Sequence, residues 1–158
     1  MTRFFLDTEF IEDDKTIDLI SIGIVSEHGA EFYCESFDCD LSRADAWVKE
    51  NVISKLSGDN RKPRWLIKYE LLDFIRENNT GRIEFWAYFA DYDWVALCQL
   101  FGPMIDLPDS FPMYCRDIKQ LADTCGKRYT KPPKSDMQHH ALVDAKWDRD
   151  FYNHLVSL

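Results

Sequence analysis

Three groups of residues have the types and spacing to hold divalent cations. Asp7 and Glu9 directly follow the apolar run Phe4-Phe5-Leu6. Side chains alternate along a strand, so these two carboxylates point to one side, roughly 6.5–7 Å apart. Ionised, they repel each other, which costs stability unless a cation or basic group lies between them. Taken alone, a strand end in water or a capped turn explains the pair equally well. Asp91 and Asp93 stand where Phe85–Phe89 gives way to a helical pattern. Asp91 is placed to cap that helix, and Asp93 falls in its first turn. Asp144 sits in His139-His140-Ala141-Leu142-Val143-Asp144-Ala145. It reads as a mid-helix Asp of poor propensity, although a solvated face is an alternative because Asp148 and Asp150 follow. Helical geometry favours His140 as its partner: residues four apart share a face, whereas His139 would lie about 140° around.

Clustered carboxylates without Cys suit hard Mg²⁺ or Mn²⁺. Two such ions about 3.5–4 Å apart activate water and stabilise a departing oxygen, the two needs of phosphodiester hydrolysis. A histidine with an ordinary pKa of about 6.5 is suited to act there as general base.

These residues must be positioned by elements that are themselves legible. Arg3–Thr8 reads as a buried strand, and Thr16–Glu27 and Ala30–Ser36 as two more joined at His28-Gly29. Ser42 is an N-cap candidate for a helix to about Ile53, with Ala44, Trp47, Val48 and Val52 on one face. Helices are predicted over Trp65–Arg76, Tyr92–Phe101 and Asp117–Cys125, with a last one running towards the C-terminus. Strands are predicted at Arg82–Tyr88 and near Met113–Cys115. Three strands followed by alternating helices and strands predict an α/β fold: a mixed β-sheet flanked by α-helices.

The 158 residues fit a single domain, 1–158, and 46% hydrophobic with 15% aromatic residues predicts a packed core. The net charge of −9 argues against a stoichiometric nucleic-acid binder but not against an enzyme that meets phosphates through bound cations. Five scattered cysteines give neither a zinc ribbon nor an even disulfide framework. No signal region or bilayer-length apolar run is visible, so a cytoplasmic protein that avoids membranes is expected.

The set Asp7-x-Glu9, Asp93 and His139-x-x-x-x-Asp144 resembles the DEDDh family of 3′–5′ exonucleases. Phe4–Phe10 looks like its first motif, Tyr92-Asp93-Trp94-Val95-Ala96-Leu97 like its second, and His139-x-Ala141-x-x-Asp144-Ala145 like its third. Ile20–Val25 resembles the second strand of that fold, and Arg116-Asp117 with Leu121 the strand-to-helix step between the later motifs. The opening Asp-Thr-Glu-Phe-Ile-Glu-Asp looks closest to a compact bacterial exoribonuclease subgroup. The resemblance implies a ribonuclease H-like fold. It also implies a 3′–5′ exoribonuclease that releases nucleoside 5′-monophosphates from single-stranded RNA ends with two divalent cations, Mg²⁺ or Mn²⁺. Asp7, Glu9 and Asp144 would hold the first ion, Asp7 and Asp93 the second, and His139 would be the general base. Thr8 and Phe10 would contact the terminal nucleotide, although Phe10 reads equally well as core. Homodimers occur among similar proteins, which makes a homodimer the expected assembly.

One position departs from the pattern: many relatives carry Asn four residues before the second-motif Asp, and here Phe89 stands there. Lys127 and Arg128, in the basic stretch running to Lys134, are candidates to grip phosphates, against a solvated loop as the plainer reading. Arg61-Lys62-Pro63-Arg64-Trp65 is a second such stretch. A DNA exonuclease of the same fold, a ribonuclease H-like endonuclease and a non-catalytic interaction module are the other readings open at this level.

Overall fold

Phe4, Phe5 and Leu6 are all fully buried, which requires the strand that carries them to be covered on both faces. In the computed structural model, which describes residues 1–126 and 129–158, that strand is β1 (Thr2–Glu12). It lies inside a six-stranded sheet of order β4-β3-β2-β1-β5-β6. The others are β2 (Ile17–Ser26), β3 (Glu31–Ser36), β4 (Arg61–Lys62), β5 (Ile83–Ala87) and β6 (Arg116–Asp117). β2 runs antiparallel to both β1 and β3, with the β2–β3 turn made by Gly29 at φ 93°, and β4 is parallel to β3. β5 is parallel to β1, and β6 to β5. The sheet is mixed, as expected.

Alternation along β1 divides the core. Phe4 and Leu6 pack with Ile67, Leu71 and Ile75 of α2 (Arg64–Asn78) and with Leu97 of α3 (Asp91–Phe101). Phe5, on the opposite face, packs with Ile118 of α4 (Ile118–Cys125) and with Trp147 and Phe151 of α5 (Ala141–Val156). A smaller cluster of Ile11, Ile20, Cys39, Ala44 and Val52 lies under α1 (Ala46–Asn51). Among the described residues no helix is long and apolar enough to cross a membrane.

Several local expectations are corrected. The helix expected from Ser42 is split: Asp40 caps a 3₁₀ turn at Leu41–Arg43, and Asp45 caps α1 by accepting the Val48 N–H at 2.8 Å. Two carboxylates bid for one helix start, and the later one begins the α-helix. Trp47 leaves the expected apolar face and is 52% exposed. Ala90, not Asp91, is the cap of α3, and Asp91 is its first helical residue. The short strand near Met113–Cys115 forms instead at Arg116–Asp117, where β5 offers parallel partners. Asp144 lies in the first turn of α5, not mid-helix.

Gly23 lets α5 reach the sheet. It pairs with Asp7 across the β1–β2 ladder, and a Cβ there would fall 2.4 Å from the Ala141 carbonyl carbon and the Leu142 nitrogen. Both are backbone atoms, so nothing flexible can give way. Gly23→Ala is expected to lower the unfolding free energy by at least about 1–3 kcal/mol, the cost of overpacking a close interface. Chemical denaturation checks this; wild-type stability would mean that α5 is not seated as described.

Candidate active site

The site is assembled at the carboxyl ends of β1 and β5, the usual location for ligands in open α/β sheets. Asp7 and Glu9 continue the Phe5 row of β1 and share its α5-facing side. Thr8, between them, faces the other way. Its N–H and hydroxyl donate to Asp93 Oδ1 at 2.8 and 2.6 Å, pinning the carboxylate that α3 carries in its first turn. Asp144 comes from the first turn of α5, where its Oδ2 accepts the His139 N–H at 2.7 Å. His139 reaches in from the preceding residues with φ 69°. One ligand atom each from Glu9, His139 and Asp144 lie within 4.8 Å of one another. Asp7, Glu9, Asp93, Asp144 and His139 all line one cleft of about 500 Å³, together with Phe10, Trp47, Phe89, Tyr92 and Lys134.

The electrostatics of this cleft are unfavourable. Asp7 Oδ2 is shut off from solvent with no hydrogen-bond partner among the described residues. Burial, then the charges of Asp93 and Glu9, raises the Asp7 pKa well above the usual carboxylate range. Burial and the neighbouring Asp144 and Asp93 push Glu9 up to about 8. Asp93 is raised to about 7 by burial, against the two Thr8 hydrogen bonds that pull it down. Burial lowers the His139 pKa, an effect that Asp144 opposes. The compensating cations are few: Lys134 Nζ lies 3.7 Å from Asp144 Oδ1, and Lys55 Nζ donates to the Gln138 carbonyl. Hard oxygen donors crowded around a partnerless buried oxygen fit divalent cations.

The candidates that spacing left open lie in different surroundings. His139 lines the cleft, whereas His140 occupies the cap position of α5 and stacks on Tyr33 at 4.5 Å. The helical wheel does not apply to His139, which precedes the helix in a left-handed conformation. Asp93 is buried in the site, and Asp91 is exposed. Thr8 lines the cleft, but its hydroxyl is engaged by Asp93. Phe10 belongs to no core cluster and instead stacks on Tyr92 at 5.6 Å. Lys127 and Arg128 lie outside the described residues. Lys134, from the same stretch, does reach the cleft. The Arg61–Trp65 stretch does not: Lys62 pairs with Glu70 at 2.5 Å and Arg64 with Asp18 at 3.7 Å.

Asp148, which in the sequence only kept a solvated face open as an alternative for Asp144, is 2% exposed. It accepts the Tyr88 N–H at 3.0 Å, and burial together with Asp93 holds its pKa well above the ordinary value. Its position four residues after Asp144, on the same helix face, was the available signal. Trp47, whose ring meets His139 edge-on at 4.9 Å, gave no such signal from a helix of only six residues.

The mixed sheet and its flanking helices share their fold with a solved 3′-exonuclease. A solved structure, the crystal structure of a full-length 3′-exonuclease, matches with a TM-score of 0.56 at 11% identity. The match covers 99% of this chain and 81% of that one. Residues 2–156 match the 3′-5′ exoribonuclease Rv2179c-like domain, and the chain belongs to that family. The 3′-5′ exoribonuclease Rv2179c of Mycobacterium tuberculosis (strain ATCC 25618 / H37Rv) is 45% identical over 147 residues, covering 91% of this chain and 87% of that protein. The 3′-5′ exoribonuclease MT2234.1 of strain CDC 1551 / Oshkosh matches to the same extent.

The raised carboxylate pKa values fix how stability depends on pH. Glu9 and Asp93 bind protons more tightly folded than unfolded, so their contribution is complete below the ordinary values of 4.5 and 3.8. It is lost as pH rises through about 8 for Glu9 and about 7 for Asp93. The Tm of metal-free protein is therefore expected to fall between pH 5 and 8, and Glu9→Gln to flatten part of that fall. Added Mg²⁺ should raise Tm most at the alkaline end. A metal-free Tm that rises across this window would contradict the assignment.

Proposed function

We propose that this chain hydrolyses phosphodiester bonds at the 3′ end of single-stranded RNA, releasing nucleoside 5′-monophosphates. The observation that carries the reading is the convergence of Asp7, Glu9, Asp93, Asp144 and His139 on one cleft. They come from β1, α3 and the start of α5. Family membership supports the reaction and its polarity.

Asp7, Glu9 and Asp144 would hold one divalent cation, and Asp7 with Asp93 a second. When bound, such a pair supplies charge neutralisation for the scissile phosphate, a more acidic water and stabilisation of the leaving oxygen. His139, kept neutral near pH 7 by its lowered pKa, takes the proton from the attacking water at a ring nitrogen. Asp144 orients it by accepting its backbone N–H, and the edge of Trp47 restricts its ring. Thr8 holds Asp93 in place from behind. Lys134, 3.7 Å from Asp144, is within reach of a phosphate oxygen once cations take over neutralising that carboxylate. The net charge of −9 leaves little long-range attraction for RNA, so binding rests on these local contacts.

Asp7→Asn and Asp144→Asn are expected to reduce turnover on the order of 10³-fold or more, since each removes an ion ligand worth several kcal/mol, with far-UV circular dichroism unchanged. His139→Ala should cost about 10²–10⁴-fold and abolish the acid limb of the pH–rate profile, which lies below about 6.5. End-labelled oligomers of RNA and DNA, single- and double-stranded, incubated with Mn²⁺ or with chelator, test the whole reading. Stepwise loss from the 3′ end of single-stranded RNA that stops with chelator is expected. Internal cleavage of a circular strand, or activity indifferent to chelator, would refute it.

A further inference from the structure

Among the described residues, two non-glycine residues adopt positive φ, and both line the cleft: His139 at 69° and Phe89 at 61°. The first carries a ring into the carboxylate cluster. Phe89 lies in the turn between β5 and α3, and nothing in the catalytic arrangement accounts for it. An aromatic residue in the left-handed region is strained, and such strain persists only where the surroundings over-determine the backbone.

They do so here. The Tyr88 N–H is held by Asp148 of α5 at 3.0 Å, and the Ala90 N–H by Asp117, the cap of α4, at 2.9 Å. The Tyr88 ring is packed between Trp147 and Phe151 beneath Lys131. The Ala90 carbonyl opens α3 by accepting the Trp94 N–H at 2.9 Å. Phe89 is thus clamped on both sides by carboxylates from two other elements. Its own ring meets the Tyr88 ring edge-on at 4.5 Å but belongs to no core cluster and is 60% exposed. The clamp forces the backbone, and the ring, resting by one side against Tyr88, keeps most of its surface exposed at the cleft. Asn or Gly would meet the backbone demand at less cost. The Tyr88 contact uses only part of the large apolar ring, and the rest is available to something outside the folded chain.

We infer that Phe89 is a stacking platform for one unpaired nucleobase of the substrate, next to the Phe10–Tyr92 pair at the same cleft. This rests on the nuclease reading above. The occupant follows from continuity: a phosphodiester placed at Asp7 and Asp144 has its bases within the aromatic-lined part of the same 500 Å³ space. An exposed ring takes a base of any identity on its face.

The test uses the full-length enzyme and 5′-labelled RNA oligomers, fully based or carrying a single abasic residue at each of the last four positions. Phe89→Asn is expected to raise Tm by about 2–4 °C, because Asn tolerates the left-handed region. It should also raise KM on the fully based oligomer on the order of 10-fold, the scale of one lost base–aromatic stack. kcat should move far less. Phe89→Trp should retain a low KM. One abasic position should raise KM for wild type by a similar factor and make Phe89→Asn indistinguishable from wild type, since the lost contact cannot be lost twice. Wild-type KM for Phe89→Asn, an equal penalty at every abasic position, a fall in Tm, or a change in oligomeric state in place of the KM effect would overturn the inference alone. A wild-type enzyme that releases nothing from any RNA end would overturn the nuclease reading and this inference with it.

Discussion

Mutual repulsion among buried carboxylates is the constraint on which the rest of this structure depends. Asp7, Glu9, Asp93 and Asp144 share one cleft, with Asp148 buried behind them. Burial and proximity both disfavour ionisation, and the pKa values of Asp7, Glu9, Asp93 and Asp148 all move upwards. A fold selected for stability alone would disperse these groups or pair each with a cation. Here the nearby ammonium groups, Lys134 and Lys55, stand at the margin. The cluster makes physical sense as a binding site for compact positive charge.

The remainder of the molecule holds the cluster closed against that repulsion. A continuous sheet fixes Asp7 and Glu9, and its parallel β1–β5 pairing brings α3 alongside. Thr8 uses two donors to bind Asp93 across the end of β1, and the His139 N–H tethers Asp144. Gly23, bare of side chain, allows the α5 backbone to approach directly opposite Asp7. Asp117 and Asp148 brace the turn between β5 and α3 through its amides. Among the described residues the two strained non-glycine positions, Phe89 and His139, both lie where this scaffold meets the cleft, the kind of place where strain serves function.

Much of this was legible in the sequence because strand alternation is strict. Asp7 and Glu9 after a wholly apolar run had to share a face, and the strand order that follows implies a mixed sheet. What failed were features set by tertiary competition. Asp91 lost the cap of α3 because its helix begins one residue earlier, with Asp117 satisfying the Ala90 amide from another element. The choice of His139 could not come from a helical wheel, since that residue lies outside the helix with positive φ. Asp148 was hidden by its charged neighbours Arg149 and Asp150, although its spacing from Asp144 placed it on the inward face. The strand expected at Met113–Cys115 moved to Arg116–Asp117, because register is set by the partner strand and not by local apolarity.

Calorimetric titration of Mn²⁺ into the metal-free protein at pH 7, repeated in buffers of different ionisation enthalpy, tests the central claim most directly. Carboxylates with raised pKa values are partly protonated there and must release protons when an ion displaces them. Two ions bound per chain with measurable net proton release, both lost in Asp7→Asn, is the predicted result. Absence of saturable binding, or binding with no proton release that survives Asp7→Asn, would contradict the account.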